Sequence, residues 1–295
     1  LPADTESIAA WQAVGIPRER IIILGEDNFW SAGDVGPCGP CTEVFFDTGD
    51  EFGPAYEPGG YFDDKSRYIE IWNAGVFMEF NKQSDGSYSK LPFKSVDTGS
   101  GVERLTMALN GLPSAYETDL LKPQMDYVAS QFAGSGDVRA HRQISDHIRT
   151  VTFMLGEGIN FGNEGRNYIP RRLARKIISL VHRHAQNPDT FNYAGLISQV
   201  VGSLGGSYDF LQQKEDEIIT TFQREVGDFR KVIDKGMHLL EGKCGKAPFT
   251  LSGADAFELF ATYGMPKDLI REFVEEKEGT FDAEGFDTEF KNHGG

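Results

Sequence analysis

Near residue 115 the spacing of apolar residues changes from strand-like to helical and does not change back, which limits the chain to a mixed architecture with its strands in the first part. Before that point, short β-type runs alternate with Gly/Pro-rich stretches. Arg20 to Leu24 and Glu43 to Asp47 read as strands, with a Gly/Pro loop from Gly33 to Pro40 between them. Asp50 to Lys65 reads as an acidic loop. Tyr68 to Phe80 is the strongest strand candidate, interrupted by a bulge or turn at Ala74-Gly75. Lys94 to Asp97 is a short strand leading through Gly99-Ser100-Gly101 into a helix over Val102 to Leu109. From Asp119 onward, helices are expected over Asp119 to Phe132, Arg139 to Leu155, Pro170 to Ala185, Tyr193 to Leu204 and Tyr208 to Leu240. Gly253 to Ala261 and Pro266 to Glu276 follow as shorter ones, and Pro170 is expected in a first turn. The fold class is α+β, with an α+β half over 1–115 and an all-α half over 116–295.

A length of 295 residues, with 39% hydrophobic and 25% charged residues, describes a soluble globular chain of one or two domains. No apolar run reaches the roughly 20 residues that span a bilayer, so no membrane partner is expected. The start, Leu1-Pro2-Ala3-Asp4, has neither the basic nor the apolar region of a secretory signal, and it reads as the interior of a longer protein. Three cysteines, Cys38, Cys41 and Cys244, are too few and too uneven for a disulfide framework. They favour a reducing, cytoplasmic setting. The Cys38-x-x-Cys41 pair invites a zinc or redox reading, but four zinc ligands are not in sight, so no metal site and no zinc is expected. The net charge of −16 opposes bulk attraction to nucleic acid, yet Arg166, Arg171, Arg172, Arg175, Lys176 and Arg183 form a basic block with no carboxylate between Glu164 and Asp189. Such a run is either a solvated helix face or a phosphate-binding surface.

Ser95 to Leu105 (SVDTGSGVERL) carries the most chemistry. Its two glycines let the backbone turn tightly and admit a ligand where a Cβ would intrude. The helix N-terminus that follows offers unpaired N–H groups and partial positive charge to an anion. Arg104, in the first helical turn, adds a guanidinium suited to phosphate, and Asp97 can hold an amino group. Gly-x-Gly-x-Glu-Arg after a strand resembles motif 3 of the class II aminoacyl-tRNA synthetases. The stretches Asp27-Asn28-Phe29-Trp30, Gly33 to Glu43 and Val96 to Gly99 resemble the alanyl-tRNA synthetases in particular. Ile144 to Arg149, Asn163-Glu164-Gly165-Arg166 and Thr262-Tyr263-Gly264 follow in that family's order, so the resemblance covers essentially the whole chain.

That resemblance implies the second half of an antiparallel-sheet catalytic domain followed by a helical domain that holds the tRNA acceptor stem. It implies ATP-dependent activation of alanine, with Mg²⁺ accompanying ATP, and transfer to the 3′ end of tRNA(Ala). Arg104 and Asp97 are the implied catalytic residues, Arg104 on ATP and Asp97 on the alanine amino group. Trp30, Asn73, Gly99 and Gly101 complete the implied alanine and ATP pocket. Each has a plainer alternative: Trp30 as core, Asn73 as a bulge cap, Asp97 as a helix N-cap. This chain carries one residue more than the family near Ala74-Gly75. In the helical half, Asn163 matches the asparagine that reads the acceptor stem beside a G·U wobble pair, and otherwise caps a helix or turn. Arg166, Arg171, Arg172 and Arg175 are the implied phosphate contacts. The family's second reader, an aspartate just before Thr-Tyr-Gly, is Ala261 here, with Asp255 or Glu258 as possible substitutes. Motifs 1 and 2 and the editing domain are not found in the sequence, so the chain alone is not expected to activate alanine. A non-catalytic module that binds tRNA acceptor stems is the alternative reading.

Overall fold

The computed structural model describes residues 4–58, 60, 62, 67–132 and 137–293, and divides the chain into two compact units, Leu1–Thr118 and Asp119–Gly295.

In unit 1, helix α1 (Thr5–Ala13) is capped by Asp4, whose carboxylate accepts the Ser7 N–H. Four strands follow: β1 (Phe29–Ser31), β2 (Gly36–Asp47), β3 (Tyr68–Lys82) and β4 (Tyr88–Ser100), with helix α2 (Val102–Leu109) after them. The strands pair antiparallel in sequence order. β2 therefore begins inside the stretch expected to be a loop, and Gly39 shows why glycine stands there: a Cβ at that position would run into the Phe77 carbonyl of the neighbouring strand. Arg67, 5% exposed, ties the entry of β3 to the end of β2 by a bidentate pair with Asp47 (2.7 and 2.9 Å) and a bond to Asp50 (2.7 Å).

Arg20 to Leu24 is not a strand. Arg18–Arg20 and Gly25–Asn28 are 3₁₀ turns, and side chains satisfy part of the backbone between them. Arg18 Nη1 donates to the Ile21 carbonyl, and Asn28 Oδ1 accepts the Leu24 N–H. A run of three isoleucines has the propensity of a strand, but among the described residues it has no sheet partner. The expected acidic loop from Asp50 falls partly outside the described residues.

Unit 2 is built from α3 (Lys122–Gln131), α4 (Val138–Gly156), α5 (Gly165–His184), α6 (Tyr193–Leu204), α7 (Asp209–Gln213), α8 (Glu215–Lys243), α9 (Gly253–Ala261), α10 (Lys267–Glu276) and α11 (Ala283–Asn292). Asp137, Asn192, Ser252 and Asp282 cap α4, α6, α9 and α11 through side-chain oxygens. One continuous core joins buried faces such as Ile144, Ile148, Val151 and Leu155 of α4 to Ile177 and Val181 of α5 and Phe222 and Phe229 of α8. The unit is not wholly helical. β5 (Thr250–Leu251) and β6 (Thr280–Phe281) pair in parallel, and the chain between them holds α9 and α10, the crossover that parallel pairing demands.

Two further expectations are corrected. The long helix over Tyr208 to Leu240 breaks at Lys214, whose ammonium instead donates to the Gly156 carbonyl at the end of α4 (2.7 Å). Pro170 lies inside α5 rather than in its first turn, because the helix begins at Gly165. Gly165 sits at φ +56, a left-handed backbone that only glycine adopts readily. No helix among the described residues is long and apolar enough to cross a membrane.

Candidate functional site

The register across β2, β3 and β4 assembles the implied pocket of unit 1. Glu43 pairs with Asn73, and Asn73 with Gly99; one step along the sheet, Cys41 pairs with Val76 and Val76 with Asp97. β3 carries one residue more than β2 over this stretch, so Ala74 is the extra residue of a bulge. The bulge keeps Asn73 and Val76 on one face. Asn73, Gly99 and Asp97 consequently share that face, in neighbouring rows.

The side chains are set by different means. Asn73 Nδ2 donates to Glu43 Oε1 (3.1 Å), and its Oδ1 is buried with no hydrogen-bond partner among the described residues. Cys41 Sγ also lies against Glu43 Oε1 (3.4 Å); burial and the Glu43 charge push its thiol up to about 12, so it stays protonated at neutral pH. Asp97 is exposed. One of its oxygens accepts the Thr98 N–H (2.9 Å), and among the described residues no cation pairs with it. It is not a helix cap, since Gly101 holds that position for α2. Trp30 is 37% exposed and is not a core residue.

The tight turn expected of the motif's glycines is not formed. β4 continues through Gly99 to Ser100, and Gly101 has φ −75, so neither glycine makes a left-handed turn. A Cβ on Gly99 would meet no atom of the described residues within 4 Å, and the nearest atoms to one on Gly101 would be those of the Arg104 stem at 3.6 Å. Gly99 thus keeps space open above the sheet. Arg104 Nη1 donates to the Glu70 carbonyl (2.9 Å), while its side chain remains 53% exposed. Among the described residues no side chain caps the N-terminus of α2, which leaves its first N–H groups open. A cleft of about 590 Å³ in unit 1 lies elsewhere, between α1, the Ile21 to Gly25 segment and β2. It includes Cys41 and Glu43 but not Asp97 or Arg104.

In unit 2 the basic block has partners that its sequence neighbourhood does not show. Arg171 Nε (3.0 Å) and Arg175 Nε (2.8 Å) both donate to Glu225 Oε1 on α8, a carboxylate only 4% exposed. Arg183 and Lys176 face Glu272 of α10. Arg166 and Arg172 are exposed and form no ion pair among the described residues. Arg171 Nη1 also donates to Asn163 Oδ1 (2.5 Å). Arg175 lies over the Phe229 ring at 4.9 Å and beside Gly264, where an added Cβ would stand 3.6 Å from its Nη1. Gly264 has φ +72 and so needs to be glycine. Asn163 and the Thr262-Tyr263-Gly264 turn are therefore gathered around one arginine pair. Ala261 ends α9 and is exposed; Asp255 and Glu258, the nearby carboxylates, are both held by Lys243 (2.5 and 2.8 Å).

Sequence reasoning missed Glu225. The signal was present: it falls among Ile218, Phe222, Val226, Phe229 and Ile233 on the buried stripe of α8, where a carboxylate survives only with partners. Among the described residues, no group of three or more His, Cys, Asp or Glu side chains is arranged to hold a metal ion.

The family described as tRNA synthetases class II (A) matches residues 1–294, and the chain belongs to that family. Within it, the chain is similar to alanine–tRNA ligases. It is 39% identical over 292 residues to that of Idiomarina loihiensis (96% of this chain, 33% of the relative). Identity is 40% over 307 residues to that of Natranaerobius thermophilus (97% and 33%), and 37% over 299 residues to that of Neisseria meningitidis serogroup C (98% and 34%). The chain thus spans about a third of the length of the curated relatives it matches, and the resemblance first drawn from its motifs extends over nearly all of it.

Proposed function

We propose that this chain supplies part of the alanine-activating site and the acceptor-stem-binding surface of an alanine–tRNA ligase. The observation that carries the reading is the shared face of Asn73, Gly99 and Asp97, which leads into an uncapped helix start with Arg104 in its first turn. Asp97, an uncompensated carboxylate, takes the alanine ammonium, and the open space at Gly99 takes its small side. The alanine carboxylate attacks the α-phosphorus of MgATP. An O–P bond forms, the bond to the β-phosphate oxygen breaks, and pyrophosphate leaves with the electron pair. Arg104 and the α2 N–H groups stabilise charge that develops on the phosphates. The tRNA 3′ hydroxyl then attacks the acyl carbon, releasing AMP. Unit 2 holds the acceptor stem, with Arg166 and Arg172 as phosphate contacts and Asn163 at the bases. The reaction belongs to the full-length cytoplasmic protein; the 295-residue chain alone is expected to give no ATP–pyrophosphate exchange.

Gly99→Ala tests the pocket. Because its Cβ meets no protein atom, the variant should fold with unchanged stability while its KM for alanine rises about tenfold or more, as for one misplaced methyl. An unchanged KM would place the amino acid elsewhere.

Ala261 offers no acceptor to the guanine amino group of a G·U pair, and Lys243 already holds Asp255 and Glu258. Discrimination between acceptor stems with G·U and with G·C should therefore be weak in the native protein. Ala261→Asp should strengthen it by about 1–3 kcal/mol, or one to two powers of ten. Strong discrimination that is indifferent to Ala261→Asp would contradict this reading of the surface.

A further inference from the structure

We propose that Glu225 is a positioning residue for acceptor-stem recognition, fixing Arg171 and Arg175 and, through Arg171, the reading amide of Asn163. The proposal rests on the acceptor-stem reading of this surface.

Arg171 and Arg175 stand one helical turn apart on α5, close enough for two guanidiniums to repel each other into solvent. The Glu225 carboxylate stops this by accepting both Nε–H groups on a single oxygen. Each arginine is held by its Nε, so its outer nitrogens are directed onward. Those of Arg171 reach Asn163 Oδ1, and those of Arg175 lie beside the Gly264 turn. One buried carboxylate thus sets the two segments that face the stem, the loop at Asn163 and the turn after Ala261.

The contact also fixes what Asn163 can read. With Oδ1 accepting from Arg171, the amide is fixed with its oxygen toward the guanidinium and its N–H groups turned the other way. Those N–H groups match purine N3 and pyrimidine O2 in the minor groove, and because a wobble pair displaces the pyrimidine from its G·C position, an amide fixed in direction meets O2 in one pair better than in the other. In the wide, shallow minor groove of an RNA helix such edges are accessible. If Arg171 is released, the amide rotates freely and offers its oxygen as often as its nitrogen.

The test uses the full-length protein and two RNA acceptor-stem duplexes that differ only in G·U against G·C at the wobble position. Affinity is measured for the native protein, Glu225→Gln, Asn163→Ala and the double variant. Glu225→Gln keeps the volume but removes the charge that binds both arginines. It should reduce the preference between the duplexes about fivefold, the worth of one hydrogen bond. Asn163→Ala should reduce it equally, and the double variant no further. Arg171→Lys, which leaves a cation near Glu225 but lacks the fork that reaches Asn163, should reproduce the loss without depending on how Glu225→Gln folds. A preference lost in Asn163→Ala but intact in Glu225→Gln and Arg171→Lys would overturn the proposal and leave Glu225 as a stabilising group only. A preference unchanged in Asn163→Ala would overturn the acceptor-stem reading and the proposal with it.

Discussion

Arg104→Ala in the full-length protein is expected to lower alanine-dependent ATP–pyrophosphate exchange by about 10²–10³-fold, the usual effect of removing one preorganised electrostatic stabiliser. The side chain lies in the first turn of α2 and is anchored through one nitrogen to the Glu70 carbonyl, so its remaining donors are held in place without being consumed. Arg104→Lys should recover little, because an ammonium cannot hold that carbonyl and span phosphate oxygens in a planar fork. Binding of ATP should weaken less than the rate falls, since charge builds on the phosphates as pyrophosphate departs. A rate within threefold of native, roughly 0.6 kcal/mol, would remove Arg104 from the phosphate-binding machinery.

The second large effect is on folding. Replacing Arg171 and Arg175 together by alanine leaves Glu225 charged, buried and without its two partners, which costs about 3–5 kcal/mol in comparable cases. Denaturant unfolding should show that loss, and adding Glu225→Met should restore most of it by removing the stranded charge. If the triple variant is no more stable than the double, burial of the carboxylate is not the cause. Arg172→Ala separates the two roles of the block. It touches no buried carboxylate, so stability should hold, while the salt dependence of RNA binding should become shallower by about 0.7–0.9 in slope. The sequence treats these three arginines alike, whereas the fold pairs two of them with a buried carboxylate and leaves the third exposed.

That difference marks what a single sequence can disclose. Helices α2, α6 and α9 and most of β3 follow from apolar spacing, which is a local signal. The bulge after Asn73 was legible as one residue too many beside Ala74-Gly75. The partners of the basic block were not, because Glu225 lies 54 residues beyond Arg171, and Glu272 lies on another helix again. Proximity in space is decided by how α5, α8 and α10 pack. The same holds for Arg20 to Leu24, whose propensity favours a strand that only a neighbouring strand could complete, and for β5 and β6, two residues each, too short for any periodicity to register. Of the two reasons the sequence offers for Gly99 and Gly101, the tight turn fails and the room for a ligand stands at Gly99. Their backbones do not need glycine; the space above Gly99 does.

We propose that Asp97, Gly99 and Arg104 belong to a site that activates alanine for attachment to RNA. The most direct test is to incubate the full-length protein with MgATP, tRNA carrying the wobble pair, and each amino acid in turn, and to identify by mass what becomes linked to the terminal adenosine. The account predicts alanine, dependent on ATP and abolished by Asp97→Ala, with larger amino acids excluded. Attachment of a different amino acid, or alanine attachment that persists without Asp97, would contradict it.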